Sequence, residues 1–150
     1  MNNLQLVDFY VSHAEIILEE PLNKGAPRVQ SYWRSLVSQL TQPGTSFTAL
    51  IDAKPVACGG IYPVWSGVGE AWFLASHRLH CNTFSVAKVV KNNIEKLMSD
   101  HGLHRAQATV HCDFKQAHRF AKWLGFKNEG RMKAFASDKS DYYRFAKVII

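Results

Sequence analysis

The chain has 150 residues, of which 47% are hydrophobic and 20% are charged, values typical of one globular domain over residues 1–150. Its formal charge of +6 at pH 7 favours an anionic partner, and nucleic acid, an acidic protein surface and a polyphosphate cofactor all meet that condition. The basic residues are scattered and form no run of the kind found in nucleic-acid-binding arms. No stretch approaches the ~20 apolar residues of a membrane-spanning helix.

The three cysteines, Cys58, Cys81 and Cys112, form no CxxC pair. An odd number at wide spacing does not suit a disulfide framework and indicates a reducing compartment. Residues 1–8 also lack the basic and apolar stretches of a secretory signal. We therefore expect a cytoplasmic protein whose cysteines are small buried apolar residues.

The first part of the chain has the patterns of one strand and two helices. Residues 4–7 are short and apolar and predict an edge strand. Asp8 follows at a position suited to an N-cap, and a helical stretch runs to Glu20, where Pro21 stops it. Residues 29–40 repeat apolar side chains at helical period and predict a second helix with one face in the core.

The next part of the chain changes to the period of strands. Residues 47–51 and 56–62 are strand-like runs separated by turn residues 52–55, which predicts a hairpin. Residues 63–69 form a further turn before another run at residues 70–75. Connections this short place consecutive strands antiparallel.

A polar loop at residues 76–82 leads into a long helix, for which Gly102 is a C-terminal stop. The predicted buried face of this helix consists of Phe84, Ala87, Val90, Ile94 and Leu97.

The last part of the chain predicts one helix among strands. Residues 106–111 form the strand before the helix, and Asp113 and Gln116 have the spacing of a capping box at its start. Two closing strands span residues 126–135 and 142–149, around a polar turn. The inward-facing residues of the helix are Ala117, Phe120, Ala121 and Leu124.

The predicted order of elements is β, α, α, β, β, β, α, β, α, β, β. Only the unit that joins the fourth and fifth strands through a long helix requires parallel pairing. The fold class is therefore α/β, with a mixed, mostly antiparallel sheet flanked by helices.

Residues 117–130 read AHRFAKWLGFKNEG, and residues 105–110 before them read RAQATV. With the order of elements, these stretches resemble the acyl-CoA N-acyltransferase (GNAT) superfamily. Many of its members end a helix at a similar LGF and place EG two residues later, and the second stretch resembles their fifth strand. The likeness extends from about residue 46 to about residue 148.

The resemblance implies an acetyl-CoA-dependent N-acetyltransferase, in which an amine attacks the acetyl group directly within a ternary complex. In this family the fourth strand pairs with the pantetheine arm, and the following loop and helix N-terminus receive the pyrophosphate. Backbone N–H groups and the helix dipole favour an anion at such a place. The implied cofactor-binding residues are Phe73, Leu74, Ala75, Arg78, His80, Cys81, Asn82, Thr83 and Phe84.

The chain departs from the family pattern at two places. Family members usually have glycine, then glycine or alanine, where this chain has Cys81 and Thr83, and a Cβ at Cys81 restricts φ and narrows the approach to phosphates. The Asn and Tyr common on the following helix correspond to Phe114 and Ala121, so the phenol that often protonates the leaving thiolate is missing. Two functions therefore stay open, an N-acetyltransferase and a GNAT-fold protein without catalysis.

Two side chains are candidates for the base that takes a proton from the amine. Glu70 begins the fourth strand, where the family's bases are often carboxylates. His111 ends the fifth strand, and imidazole titrates near neutral pH. Each is also compatible with an ordinary role, as a solvent-facing strand residue and a helix-flanking residue.

Three short stretches resemble, more narrowly, the GNAT-like proteins of short-tailed bacteriophages. They are GEAWFL at residues 69–74, GLHR at residues 102–105 and SDYY at residues 140–143. Some of those proteins are linked to virion assembly, which is the basis of the alternative function as a non-catalytic virion or assembly component. The expected location is then the host cytoplasm or the virion.

The expected partners of an enzyme are acyl-CoA and an unidentified amine acceptor. Virion or host proteins are the partners of an assembly component, and a homodimer is compatible with both functions. Nucleic acid and a membrane are not expected. Tyr62, Trp65 and Trp72 are assigned to core or pocket packing rather than to stacking on bases.

No metal site is expected. The closely spaced His77, His80 and Cys81 have no matching Cys/His pair at finger spacing. His111 and Cys112 are adjacent in a predicted strand, so we expect them on opposite faces and without mutual activation.

Overall fold

The computed structural model of the chain describes residues 3–22 and 44–150, except for the side chains of His80 and Cys81. The helix predicted at residues 29–40 lies outside the described residues. In chain order the elements are β1 Leu4–Asp8, α1 Val11–Glu19, β2 Ser46–Ile51, β3 Lys54–Trp65, β4 Val68–Ala75, a 3-10 helix His77–Asn82, α2 Thr83–Asp100, β5 Arg105–His111, α3 Lys115–Trp123, β6 Lys127–Met132 and β7 Tyr142–Val148.

The strands form a seven-stranded sheet in the order β1-β2-β3-β4-β5-β7-β6. The β1–β2, β2–β3, β5–β7 and β6–β7 pairs are antiparallel. β4 and β5 are parallel, with a register from Val68↔Arg105 to Glu70↔Gln107, and α2 connects them. These pairings confirm the predicted α/β class and the mixed, mostly antiparallel sheet. None of the helices in the described ranges is long and apolar enough to cross a membrane.

The chain divides into two compact units, and the prediction of one domain over residues 1–150 stays a prediction. The first unit contains Met1–Tyr62 and Phe73–Leu97, and the second contains Pro63–Trp72 and Met98–Ile150. Buried side chains of the first unit include Phe9, Ile17, Phe47, Val56, Cys58, Leu79, Val86 and Val90. Those of the second include Val68, Met98, Ala106, Val110, Leu124, Phe126 and Phe145.

The β2–β3 hairpin is tighter than the predicted turn over residues 52–55. Its turn residues, Asp52 and Ala53, have φ values of 49° and 67°, the left-handed pair whose twist matches that of antiparallel strands. The Asp52 backbone N–H donates to the Asn3 carbonyl at 3.0 Å, and the Asp52 carboxylate accepts from the Asn3 N–H at 3.1 Å. These bonds tie the turn to the beginning of β1.

Two predicted helix caps are wrong. Asp8 is the last residue of β1, and the N-cap of α1 is Tyr10, whose backbone N–H donates to His13 Nδ1 at 3.2 Å. Phe9 lies between the strand and the helix and is buried, at 4% exposure, so the helix begins two residues later than predicted. Likewise, α3 begins after Phe114, which makes no side-chain capping bond, so Asp113 is not its cap.

The predicted buried face of α2 is confirmed at Val90, Ile94 and Leu97 and is wrong at Phe84. Phe84 is 69% exposed, and the buried positions are Val86, Val90, Ile94, Leu97 and Met98. The predicted stop at Gly102 is confirmed, since Gly102 has a φ of 62° and donates to the Ser99 carbonyl at 3.2 Å.

The LGF stretch has a structural explanation at the end of α3. Gly125 adopts a φ of 95°, which lets the Phe126 N–H donate to the Ala121 carbonyl at 3.0 Å. Leu124 and Phe126 on either side are buried, at 8% and 4% exposure. The glycine therefore ends the helix while its neighbours enter the core of the second unit.

β6 contains a bulge at Glu129. Its register to β7 runs from Asn128↔Phe145 directly to Gly130↔Arg144, so Glu129 is an extra residue on the β6 side. Gly130 has a φ of 138°, and its N–H donates to the Asn128 side chain at 2.9 Å.

Candidate functional site

All the residues predicted to bind the cofactor lie in the first unit. β4 ends at Ala75, and one residue later the chain enters the 3-10 helix, which continues into α2 at Thr83. Neither helix has an acidic residue in its first turn. The arrangement is a strand end that leads into helix N-termini without negative charge, and such a segment favours an anionic group.

Ser76 fixes the start of this segment. Its side chain is fully buried, and its hydroxyl donates to the Glu20 carbonyl at 3.1 Å and accepts from the Arg78 N–H at 3.2 Å. Its backbone N–H donates to the Val56 carbonyl at 2.9 Å, and the His77 N–H donates to Glu20 at 2.8 Å. The loop is thereby bound on one side to β3 and on the other to the residue that follows α1.

The end of β4 has one of its backbone groups already engaged. The Ala75 carbonyl accepts from the Leu22 N–H at 2.9 Å, whereas the Ser76 N–H points to β3. The Ala75 carbonyl and the Ser76 N–H belong to the same peptide unit and point to opposite edges of the strand. Leu22 therefore lies on the edge of β4 away from β3.

Arg78 points towards the acidic end of α1. Its Nε lies 3.6 Å from the Glu20 carboxylate, and its Nη2 lies 4.0 Å from that of Glu19. The glutamates are 55% and 66% exposed, and ion pairs this open contribute little. An incoming phosphate would therefore compete with the glutamates for a guanidinium that is only weakly held.

The loop does not need glycine to form. Thr83 has φ and ψ of −54° and −48°, and positive φ at described non-glycine residues occurs at Asp52, Ala53, Ala134 and Lys139. The 3-10 helix containing Cys81 is therefore built from right-handed backbone, which a residue with a Cβ adopts without strain. Phe84 in the next turn is exposed, with the Lys88 ammonium 5.7 Å from its ring centre.

Glu70 lies in the second unit at the centre of a charged network. Its carboxylate accepts from Arg144 Nη1 at 3.0 Å on one oxygen and 3.1 Å on the other. The second oxygen also accepts from Gln107 Nε2 at 3.0 Å. The side chains of Glu70 and Arg144 are 17% and 26% exposed, so the pair is sheltered and still reachable from solvent.

The Gln107 amide extends the network to β6. Its oxygen accepts from Arg105 Nε at 3.0 Å, and because arginine only donates, this contact fixes the amide so that its NH₂ faces Glu70. Arg105 also binds both carboxylate oxygens of Glu129. Hydrogen bonds from Arg105 lower the pKa of the Glu129 carboxyl, and the same contact raises the pKa of Arg105.

The network belongs to one face of the sheet, which also carries the second candidate base. Gln107 pairs with Ala146, and His111 pairs with Tyr142, so these residues point to the same side as Glu70. His111 lies four positions beyond Gln107 along β5, or roughly 13 Å at the rise of a strand. Glu70 and His111 therefore share a face without being in contact.

His111 and Cys112 are not on opposite faces, which corrects the expectation from sequence. β5 ends at His111, so Cys112 lies in the following turn and strand alternation no longer applies. Donor atoms of His111, Cys112 and Asp113 lie within 4.8 Å of one another. His111 Nδ1 already accepts from the Asp113 N–H at 3.0 Å, and its ring meets that of Tyr142 edge-on.

α3 packs on the opposite face of β5 and β7. The His118 ring contacts those of Tyr143 and Phe145 edge-on, and His118 Nε2 lies 2.9 Å from the His111 carbonyl. Ala121, at the position where the family often has tyrosine, is buried at 8% exposure.

Gln107, Tyr142 and Arg144 are members of the site face that sequence reasoning missed. Side chains alternate between the two faces along β5 and β7, and this alternation could have identified them. It does so only once β5 is known to lie between β4 and β7 in the sheet. The assignment of Trp65 to packing was wrong, since it is 67% exposed, whereas Tyr62 and Trp72 are half-buried.

Comparisons with known proteins agree with this architecture. Residues 4–126 match the sequence profile described as the acetyltransferase (GNAT) family. Ard1 from Thermoplasma volcanium has a similar structure, with a TM-score of 0.79 and 14% identity over 98% of both chains. A GNAT-family acetyltransferase from Bacillus anthracis has a TM-score of 0.71 and 15% identity, over 99% of this chain and 98% of that one.

A further similar structure is a point mutant of the spermidine N-acetyltransferase SpeG from Vibrio cholerae. It has a TM-score of 0.70 and 11% identity, over 97% of this chain and 93% of that one. No curated protein sequence matches the chain. Because the family profile covers most of the sequence, the chain belongs to the acetyltransferase (GNAT) family.

Proposed function

We propose that this protein is an acetyl-CoA-dependent N-acetyltransferase that transfers an acetyl group to an amine by direct attack within a ternary complex. The observation that carries the proposal is the passage from β4 into α2, which Ser76 fixes in place and which lacks acidic residues in the first turns of its helices. Family membership supplies the reaction class.

The donor is proposed to bind in the first unit. The backbone of Phe73, Leu74 and Ala75 would lie beside the pantetheine arm, and the segment from Arg78 to Phe84 would hold the pyrophosphate. Within that segment the other proposed binding residues are His80, Cys81, Asn82 and Thr83. The residues fit an anion because the 3-10 helix offers Arg78 and no carboxylate. When bound, acetyl-CoA supplies the acetyl group as a thioester, and its thiol is a good leaving group.

Glu70 is proposed as the base that removes a proton from the amine. Gln107 fixes one carboxylate oxygen, and Arg144 bridges both, so the group is held in one orientation as a hydrogen-bond acceptor. A positioned carboxylate of this kind is expected to contribute about 10²–10⁴ in rate. His111 is the alternative base, on the same face and further along β5.

Titration calorimetry with acetyl-CoA tests the proposal. We expect saturable binding of one acetyl-CoA per chain, and ATP at the same concentration serves as the control for unspecific attraction of phosphates to a basic protein. Absence of acetyl-CoA binding at millimolar concentration, or equal binding of ATP, would rule out the proposed enzyme.

The second candidate is a non-catalytic GNAT-fold virion or assembly protein of a bacteriophage. Cys81 and Thr83 at the family's glycine and small-residue positions, and the buried Ala121 at its tyrosine position, favour this function. Its partners would be virion or host proteins, and a second copy of the chain is compatible with either function. The proposed location is the host cytoplasm or the virion in that case, and the cytoplasm for the enzyme.

A further inference from the structure

We propose that the amine acceptor is a zwitterionic α-amino acid, whose amino group binds Glu70 and whose carboxylate binds Arg144. The inference rests on the proposed function, because it takes Glu70 as the base. It adds the chemical class of the acceptor and assigns Arg144 as the residue that determines specificity.

The first argument is the unused capacity of Arg144. Both of its contacts with Glu70 come from Nη1, at 3.0 and 3.1 Å. Within the described part of the chain, its Nη2 and Nε have no hydrogen-bond partner. A guanidinium presents five donors in a planar fork, so Arg144 can bind a second carboxylate along its free edge while it stays near Glu70.

The second argument is the spacing of charge. Glu70 and Arg144 are in hydrogen-bond contact, so an anion and a cation lie side by side on a half-buried surface. An α-amino acid carries its own two charges one carbon apart and in the complementary order. A lysine side chain or a polyamine has no carboxylate beside its amine, and would leave Arg144 without a ligand.

The third argument is that the acids of this face are already paired. Glu70 binds Arg144, and Glu129 binds Arg105 through both oxygens. A polyamine would need an additional carboxylate for its second ammonium. Glu129 does not offer one, because each of its oxygens is bound by a separate nitrogen of Arg105, whereas a single nitrogen of Arg144 contacts Glu70.

Gln107 makes the exchange of partners feasible. Its NH₂ holds one oxygen of Glu70 at 3.0 Å, and Arg105 holds the amide in that orientation. When Arg144 binds the ligand's carboxylate, Glu70 keeps the hydrogen bond from Gln107 and accepts another from the ligand's amino group. Neither charge of the pair is left without a partner.

Equilibrium binding tests the inference without requiring turnover. Each common amino acid and its C-terminal amide would be titrated into the protein in the presence of free CoA, with binding measured by ligand-observed NMR and calorimetry. We expect at least one amino acid to bind about 10–100-fold more tightly than its amide, as is typical of a charge-assisted contact.

Arg144→Gln should reduce this preference to near unity, and Arg144→Lys should retain part of it. Arg131→Gln is the matched control, because Arg131 pairs with Asp141 at 2.7 Å and lies on the other face of the sheet. Circular dichroism and thermal unfolding of each variant establish that it is folded.

Three results would overturn the inference: equal binding of acids and amides by the unaltered protein, an unchanged preference in folded Arg144→Gln, or acetylation of polyamines with no amino acid bound. Donor binding is measured separately on the same preparation. Loss of acetyl-CoA binding with amino acids still bound would therefore contradict the proposed function and not the acceptor class.

Discussion

The Ser76 hydroxyl donates to the Glu20 carbonyl at 3.1 Å and so joins the segment that follows β4 to the residue that follows α1, across 56 residues of sequence. The same oxygen accepts from the Arg78 N–H. One buried hydroxyl therefore fixes the start of the proposed donor-binding segment against the residue that follows α1.

Ser76→Ala should destabilise the protein and weaken donor binding together. The Arg78 N–H would lose its acceptor, and leaving this part-buried donor unpaired should cost about 1 kcal/mol. Urea unfolding measures the loss of stability, and calorimetry measures the acetyl-CoA affinity. Ser99→Ala, at an exposed position of α2, should change the free energy of unfolding by less than about 0.5 kcal/mol. Equal effects of the two variants would show that the Ser76 contacts carry no stability.

Arg78→Gln should weaken acetyl-CoA binding by about tenfold, because it removes the cation of the anion-binding segment. Glu19→Gln combined with Glu20→Gln should instead leave the affinity equal or raise it, since those carboxylates compete for the guanidinium. The affinities come from calorimetry at fixed salt. Unchanged affinity in Arg78→Gln would place the phosphates elsewhere.

Glu70→Gln should lower kcat by about 10²–10⁴ while the affinity for acetyl-CoA stays the same. Glu129→Gln is the control, because Glu129 is also bound to an arginine in the same network and is not the proposed base. Steady-state kinetics with saturating acceptor distinguish the two. If Glu70→Gln retains its rate and His111→Gln loses it, the base is His111.

His13 should make stability depend on pH. Its Nδ1 accepts from the Tyr10 N–H at 3.2 Å and lies 2.8 Å from the Thr48 hydroxyl, and burial lowers the pKa of the ring below 6.5. As the pH falls, His13 therefore binds a proton in the unfolded chain before it does so in the folded protein. The contribution is complete above pH 6.5 and is lost as the pH falls through the folded-state pKa.

Urea unfolding at a series of pH values checks this. His13→Gln keeps an acceptor for the helix start and cannot titrate, so its stability should fall less towards acid pH. His104→Gln, at an exposed histidine, should follow the unaltered protein. Parallel curves for the unaltered protein and His13→Gln would contradict the assignment.

Ala53→Gly should stabilise the protein by about 0.5–1 kcal/mol, because Ala53 adopts a φ of 67° where glycine has no steric penalty. Ala87→Gly in the middle of α2 should have the opposite sign, at about 1 kcal/mol. Thermal and urea unfolding compare the two. A destabilised Ala53→Gly would show that the turn is not strained.

The sequence predicted the fold well wherever one local rule decided the structure. Gly102 and Gly125 were readable as helix ends, because positive φ at such positions favours glycine. The start of α1 was not, because burial of Phe9 outweighed the capping preference of Asp8. Phe84 was placed in the core although it is exposed, because the apolar pattern does not show whether Phe84 or the nearby Val86 is buried in the first turn of α2.

The candidate site was less readable than the fold. Glu70 could be proposed from its strand, but its partners Gln107 and Arg144 lie 37 and 74 residues away. Only the order β4-β5-β7 brings them together, and that order is a property of the assembled sheet. The backbone at Cys81 belongs to a right-handed 3-10 helix, so the loop forms without glycine there, whereas the expected narrowing of the approach to phosphates stays a prediction.

The bulge in β6 has a consequence for how this surface can change. Asn128 and Gly130 pair with consecutive residues of β7. Deletion of Glu129 would therefore leave all the remaining side chains of β6 on their present faces. The carboxylate that binds Arg105 thus belongs to the extra residue of the bulge. Loss of this single residue would release Arg105 and alter the charge beside Glu70, without rebuilding the sheet.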